Sequence, residues 1–265
     1  MFFIFSIFKK MISVSGNMFD DFCLPHITAI IENSSSLSSL KLSRCNLTKK
    51  LFNSTDKVKF STILQNSKLL HLDVSYNNLT SGLETLLTSL PAGLLSLNLT
   101  GCSLETAFSD LVVSGLLSHC WRKNCDLESL NVSSLSLSDV NLERLCSGLK
   151  HYQRLSSLSL DQNNITSIGL NFLMEAVLTE SLPITRLKIA MDFSKDFWRD
   201  EQSVEVTSYK LREILEKNST KLSHFTVPCP KEGLTTYFTK VWNAHYGSKS
   251  KHNKDGLGNL VLCID

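Results

Sequence analysis

His119, Cys120 and Cys125 fall within one seven-residue window, and imidazole and thiolate are both zinc ligands. A structural zinc site takes four ligands and usually draws them from paired C-x-x-C spacing, which this window lacks. The segment Lys249-Ser-Lys-His-Asn-Lys254, flanked by Lys240 and His245, gathers cations that could touch a phosphate. Such a run on a Gly/Ser loop is ordinarily just solvated. Residues 192–205 mix Asp192, Asp196, Asp200 and Glu201 with Lys195, Arg199, Phe197 and Trp198. That stretch reads either as a partner-binding excursion or as a surface loop that packs Trp198 on an edge. Eight N-x-S/T sequons begin at Asn33, Asn46, Asn53, Asn78, Asn98, Asn131, Asn164 and Asn218, the acceptor pattern of a secreted glycoprotein. Abundant Ser and Thr and recurrent Asn-Leu/Ile-Thr turns also produce them by chance, which is the reading preferred in the absence of a convincing signal peptide. The spacings G-x-x-x-x-G-K-S/T, H-E-x-x-H and G-x-S-x-G do not occur, nor does a Gly-rich dinucleotide turn. The expectation is a protein with no catalytic residues, no cofactor, no metal and no small-molecule substrate.

The bulk properties bound what can position these residues. Of 265 residues, 42% are hydrophobic and 20% charged, enough to bury a core and too apolar for a disordered or fibrous chain. Lys+Arg number 27 against Asp+Glu 25, a net charge of +2, which argues against direct nucleic-acid binding. No apolar run approaches the roughly 18 residues of a membrane span. Residues 1–8 are apolar and Lys9-Lys10 follow them, the reverse of a signal peptide's charge order. They read as an apolar leader or the remnant of an upstream helix. The eight cysteines are scattered, without the clusters of a disulfide-capped secreted scaffold, so a reducing compartment is expected.

Internal periodicity organises the rest of the chain. The template L-x-x-L-x-L-x-x-N/C-x-L is matched in full by Leu37, Leu40, Leu42, Cys45 and Leu47. It recurs as Leu69, Leu72, Val74, Asn77, Leu79, as Leu94, Leu97, Leu99, Cys102, Leu104, and as Leu155, Leu158, Leu160, Asn163, Ile165. Leu127, Leu130, Val132, Leu135 and Leu137 keep the apolar positions but place Leu where Asn or Cys belongs. Looser units follow at Ile184, Leu187, Ile189, Asp192 and at Leu222, Phe225, Val227, with fainter ones at Ile12, Val14, Asn17, Phe19 and at Leu257, Leu260, Leu262.

The x-L-x-L-x core predicts a short strand whose Leu residues point inward while the x residues face out. The Asn or Cys turns inward and bonds the backbone of adjacent coils where the strand ends. Cys45 and Cys102 are therefore read as buried ladder residues, and the coil around Leu135 is expected to be distorted, with a bulge over His119–Cys125. Helical faces are expected through Leu83, Leu86, Leu87, Leu90, through Leu142, Leu145, Cys146, Leu149, and through Leu170, Leu173, Met174, Val177. Others run through Tyr209, Leu211, Ile214, Leu215 and, from Leu234 to Tyr246, through Tyr237, Phe238, Val241, Trp242. A last strand is expected over 258–264.

The chain thus resembles leucine-rich repeat proteins. Helices between strands and 28–29-residue steps are similar to the ribonuclease-inhibitor-like class. The resemblance implies an α/β leucine-rich repeat solenoid, a horseshoe arc with a parallel concave sheet and convex helices. Residues 9–265 would hold about eight to nine units, divergent over 184–265, and the chain is expected to be the C-terminal part of a longer protein, since a coil begins at once without a cap. Helical repeats with Asn/Cys ladders, a 38-residue divergent unit and a closing helix and strand resemble the C-terminal repeat region of Tonsoku-like proteins. That resemblance implies a nuclear role in replication-fork maintenance and DNA repair. The family's histone recognition belongs to an ankyrin region that this chain lacks.

Function on a solenoid is usually recognition on the concave face. Outward strand positions give Ser39, Lys41, Ser43, then His71, Asp73, Ser75, then Ser96, Asn98, Thr100. They continue with Ser129, Asn131, Ser133, with Ser157, Ser159, Asp161, and with Arg186, Lys188, Ala190. The candidate partner-binding residues are His71, Asp73, Tyr76, Asn98, Asn131, Asp161, Arg186, Lys188 and Trp198. Tyr76 is the aromatic anchor, and the basic pair Arg186 and Lys188 gives the face a change of sign. The expected function is a non-enzymatic, intracellular (nuclear or cytoplasmic) scaffold for protein partners. The alternatives are a secreted or cell-surface recognition glycoprotein, a ubiquitin-ligase adaptor, or an innate immune sensor.

Overall fold

A computed structural model describes residues 10–20, 22–48, 56–102, 109–120, 125–179, 182–190, 197–198, 200–217, 222–229, 232–256 and 259–264. It divides into two compact units, residues 1–127 and 128–265. The readings placed on residues 1–8, Leu104, Asp192, Lys195, Asp196, Arg199 and Leu257, and on the sequons at Asn53 and Asn218, lie outside the described residues.

In the first unit strands and helices alternate: β1 (Met11–Ser13), α1 (Leu24–Asn33), β2 (Ser39–Lys41), α2 (Lys57–Gln65), β3 (His71–Asp73), α3 (Gly82–Thr88), β4 (Ser96–Asn98) and α4 (Ser109–Cys120). The strands pair in parallel, and the register sets Ile12, Leu40, Leu72 and Leu97 in one line across them. All four are buried, as the template requires, and each contributes about 1.5–3 kcal/mol by leaving water.

The second unit continues the alternation with β5 (Ser129–Asn131), α5 (Asp139–Leu149), β6 (Ser157–Ser159), α6 (Ser167–Thr179), β7 (Arg186–Lys188), α7 (Glu201–Glu216), β8 (His224–Pro228) and α8 (Glu232–Tyr246). Leu130, Leu158, Leu187 and Phe225 form its buried line. Each unit is a stack of leucine-rich repeat coils of α/β class.

The ladder residues do what their chemistry allows. Asn77 Oδ1 accepts from Cys45 N and Leu47 N at 2.9 and 3.0 Å, while Nδ2 donates to Leu42 O and Val74 O. Asn163 repeats this in the second unit with Leu135 N, Leu137 N, Val132 O and Leu160 O. A thiol offers one donor and accepts poorly, so Cys45 and Cys102 only donate, to Val14 O and Val74 O. The N–H that Asn would have satisfied then turns to the ladder residue's own carbonyl: Phe19 N to Cys45 O, Leu79 N to Cys102 O.

The residue before each ladder position is left-handed: Gly16, Arg44, Tyr76, Gly101, Ser134 and Gln162, with φ between 53 and 79°. Four of these are not glycine, and each bears a cost of roughly 1–2 kcal/mol. The turn is compensated because it aims the N–H at the next coil, as in Arg44 N to Ser75 O at 2.9 Å and Ser134 N to Asp161 O at 2.8 Å. Ser134 shares this geometry, so the distortion expected at Leu135 is absent from its own turn. The reason is directional: Leu135 N is served by Asn163 from the following coil, not by the Leu135 side chain. The division between the two units falls directly before this coil.

The helix ends are set by side chains. Ser138 and Asn141 form a reciprocal capping box on α5, and Asp200 caps α7 through Ser203 N. The Asp139 carboxylate reaches into the following coil and accepts from Thr166 N at 2.7 Å, Thr166 Oγ1 and Gly169 N, placing a negative charge at the start of α6.

Several expectations need correcting. Tyr209 is exposed rather than part of the inward face of α7, where Leu211, Ile214 and Leu215 are buried. Tyr237 is half-buried and hydrogen-bonds Glu201, while Phe238, Val241 and Trp242 do enter the core. Ser250–Lys254, expected as a solvated loop, forms β9. The last strand, β10 (Asn259–Ile264), does not continue the parallel series but runs antiparallel between β8 and β9. A short connection through Asp255, whose carboxylate holds Asn259 N, permits only a hairpin there.

Candidate functional site

In the first unit the register turns the outward positions into rows. Met11, Ser39, His71 and Ser96 make one, and Ser13, Lys41, Asp73 and Asn98 the next. Past the strand ends, Ser43, Ser75 and Thr100 are followed by Arg44, Tyr76 and Gly101, held in step by backbone hydrogen bonds. A shallow groove of about 360 Å³ runs over the first two rows, lined by Met11, Ser39, Lys41, His71, Asp73, Ser96 and Asn98.

The acidic and amide positions are fixed from below. Asp73 Oδ1 accepts from Ser75 N and Ser75 Oγ at 3.0 and 2.6 Å. Asn98 Oδ1 accepts from Thr100 N and Thr100 Oγ1 at 3.1 and 2.7 Å. Tyr76, 52% exposed, sits with the Arg44 guanidinium 4.7 Å from its ring centroid. On its other side lies Gly101, where a Cβ would come within 3.0 Å of Tyr76 Cδ1. The left-handed turn thus lays an aromatic plane on the surface between a cation and a bare backbone. Arg44 escaped the sequence reading, although it holds the same template position as Tyr76 one coil earlier.

In the second unit the rows are Ser129, Ser157, Arg186, His224 and Asn131, Ser159, Lys188, Thr226. Asn131 Oδ1 accepts from Ser133 N at 3.0 Å. Asp161 Oδ1 accepts from Ala190 N, and its Oδ2 pairs with Lys188 Nζ at 2.6 Å. The expected basic pair is therefore half neutralised: Lys188 is matched by Asp161, and Arg186 carries the change of sign. Beside Arg186, the His224 imidazole is pushed below its ordinary pKa by burial and then by that guanidinium. Trp198 donates its indole N–H to Pro228 O and packs edge-on against Phe197 and tilted against Phe238, with centroids 4.8 and 5.5 Å away. It serves the interior of this unit, leaving the strand face to the other candidates.

His119 is buried at the end of α4, with Nε2 3.3 Å from Pro91 O and Nδ1 3.4 Å from Cys125 Sγ. Cys120 Sγ donates to Leu117 O, and burial pushes its thiol up to about 12. Among the described residues no group of three or more His, Cys, Asp and Glu is placed to hold a metal ion. The sequons at Asn98 and Asn131 coincide with the strand-end bonds to residues two positions on. Those at Asn46, Asn78 and Asn164 coincide with the turn after the ladder, where Asn46 is itself left-handed.

No protein-family model matches the chain, and no curated protein matches it. Among solved structures it is similar to actin-binding site 2 of leiomodin-1, at 14% identity over 60% of this chain and 85% of that one, with a TM-score of 0.42. It is also similar to an internalin from Listeria monocytogenes, at 17% identity over 87% of this chain and 71% of that one, with a TM-score of 0.37. Both scores lie below 0.5, so the repeat fold rests on the strand registers and Asn/Cys ladders described above.

Proposed function

We propose that this chain is a non-enzymatic interaction scaffold that seats a protein partner on the open strand face of its leucine-rich repeats. The observation that carries this reading is Tyr76, a half-exposed ring fixed between Arg44 and Gly101, three residues past Asp73 in the polar groove. Rigid aromatics beside Arg are the residue types that dominate binding energy at interfaces. The test is capture of cross-linked partners by the wild type and by a variant with Tyr76→Ala, Asp73→Ala and Arg186→Ala together. Loss of capture, by more than about 2 kcal/mol of binding, is expected. Undiminished capture of every partner overturns the reading.

Within this class a helix following the strands supports the ribonuclease-inhibitor-like type, and the Tonsoku-like resemblance supports a nuclear role in replication-fork maintenance or DNA repair. The scattered spacing of the eight cysteines supports a reducing, intracellular compartment. The secreted alternative is favoured by the eight sequons. An immunoblot of fractionated cells with and without endoglycosidase separates the two. A nuclear band indifferent to the enzyme is expected, and a band that shifts on treatment overturns the intracellular reading.

A further inference from the structure

The strand face of the first unit is biased in its hydrogen-bonding chemistry. Two of its acceptor oxygens are engaged internally, Asp73 Oδ1 by Ser75 and Asn98 Oδ1 by Thr100, while Asp73 Oδ2 stays available beside Lys41. With Oδ1 held by two donors, the Asn98 amide must present Nδ2, a pure donor, to anything that lands on the row. Lys41 lies in that same row with three N–H donors, and exposed His71 one row away. Arg44 adds a guanidinium immobilised on the Tyr76 ring. Hydroxyls of Ser39 and Ser96 fill the gaps in the groove.

We infer that the segment seated here is an extended acidic peptide whose carboxylates meet Lys41, the Asn98 amide and Arg44. This deepens the scaffold reading and rests on it. Donors that are already ordered lose little entropy on binding, and charge-assisted bonds to carboxylate are about twice as strong as neutral ones. The other cationic stretch, Lys249 to Lys254, is an edge strand of exposed side chains. Lysines on such an edge ordinarily keep other strands away.

The test is an NMR titration of the full chain with two synthetic peptides of equal length, one alternating Glu and Ser, the other Lys and Ser, and with a single-stranded oligonucleotide. The Glu–Ser peptide is expected to shift the amide resonances of Lys41, Arg44 and Asn98. Asn98→Asp keeps the bonds to Thr100 but turns the donor into an acceptor, and is expected to weaken binding about tenfold. Equal binding by this variant, shifts confined to β9, or tighter binding of the Lys–Ser peptide or the oligonucleotide on this face each overturn the inference. If the Glu–Ser peptide fails while Tyr76→Ala still abolishes capture of a cellular partner, the acidic class is wrong and the scaffold reading stands. If neither responds, both fall.

Discussion

The two units fold one template with different devices. The first repeats a three-residue strand four times, and its ladder is Cys45, Asn77, Cys102. The second begins on Leu135, relies on Asn163, and closes on longer strands that reverse direction around Phe225, Phe238 and Trp242, with the Trp242 indole N–H on Cys263 O. The strand faces differ in the same sense. Asp161 and Lys188 form an ion pair in the second unit, whereas in the first Arg44 stacks on Tyr76 and Lys41 lies in register with Asp73. A leucine-rich coil tolerates this range because its inward leucines supply the burial, leaving ladder and face chemistry free to vary.

The strongest way to break the comparison is at the two Asn ladders. Asn77→Ala and Asn163→Ala each abandon four buried backbone groups, and each should cost about 4 kcal/mol in urea unfolding, at roughly 1 kcal/mol per group. If the aromatic hairpin rather than the ladder holds the second unit, Asn163→Ala costs distinctly less. Cys102→Ala, which removes one donor, should cost only about 1 kcal/mol.

A smaller effect separates the helix layers. Gly115 in α4 leaves room for Leu87, and an added Cβ would lie 2.7 Å from Leu87 Cβ. Gly169 in α6 leaves room for the Asp139 carboxylate. Alanine improves an exposed helix by up to about 1 kcal/mol, yet at both sites it should destabilise by about 1–3 kcal/mol through overpacking. Gly169→Ala should in addition raise amide exchange in the first turn of α6, because it displaces the carboxylate from Thr166 N and Gly169 N; an unchanged exchange rate contradicts this.

A last effect is on pH. Burial pushes the Cys102, Cys120 and Cys146 thiols up to about 12 and Cys229 to about 11. A raised folded pKa means this contribution is fully present below the unfolded value of 9.0 and lost as pH rises from there toward the folded values. Stability should fall above pH 9, by at most about 1.4 kcal/mol per pH unit for each well-buried thiol. A midpoint that stays flat from pH 8 to 10.5 contradicts it. Both units carry such thiols, so hydrogen exchange should show both weakening.

The repeat spacing determined the strands, their inward leucines and the ladder, because burial with period two and an Asn or Cys at a fixed offset are local requirements. The same spacing put Ser39, Lys41, His71, Asp73, Ser96 and Asn98 on one face. Only the tertiary structure decided which oxygens were already spent, since the bonds from Thr100 to Asn98 and from Ala190 to Asp161 depend on turn geometry and on a neighbouring coil. Only it seated Tyr76 between Arg44 and Gly101, residues 32 and 25 positions away in the chain, and only it paired Lys188 with Asp161 and packed Trp198 against Phe197 and Phe238. It also reversed the closing strands, because the short connection from β9 to β10 leaves no length for a parallel crossover. Sequence types set what each residue can do; the stacking of coils set which of those capacities remain open.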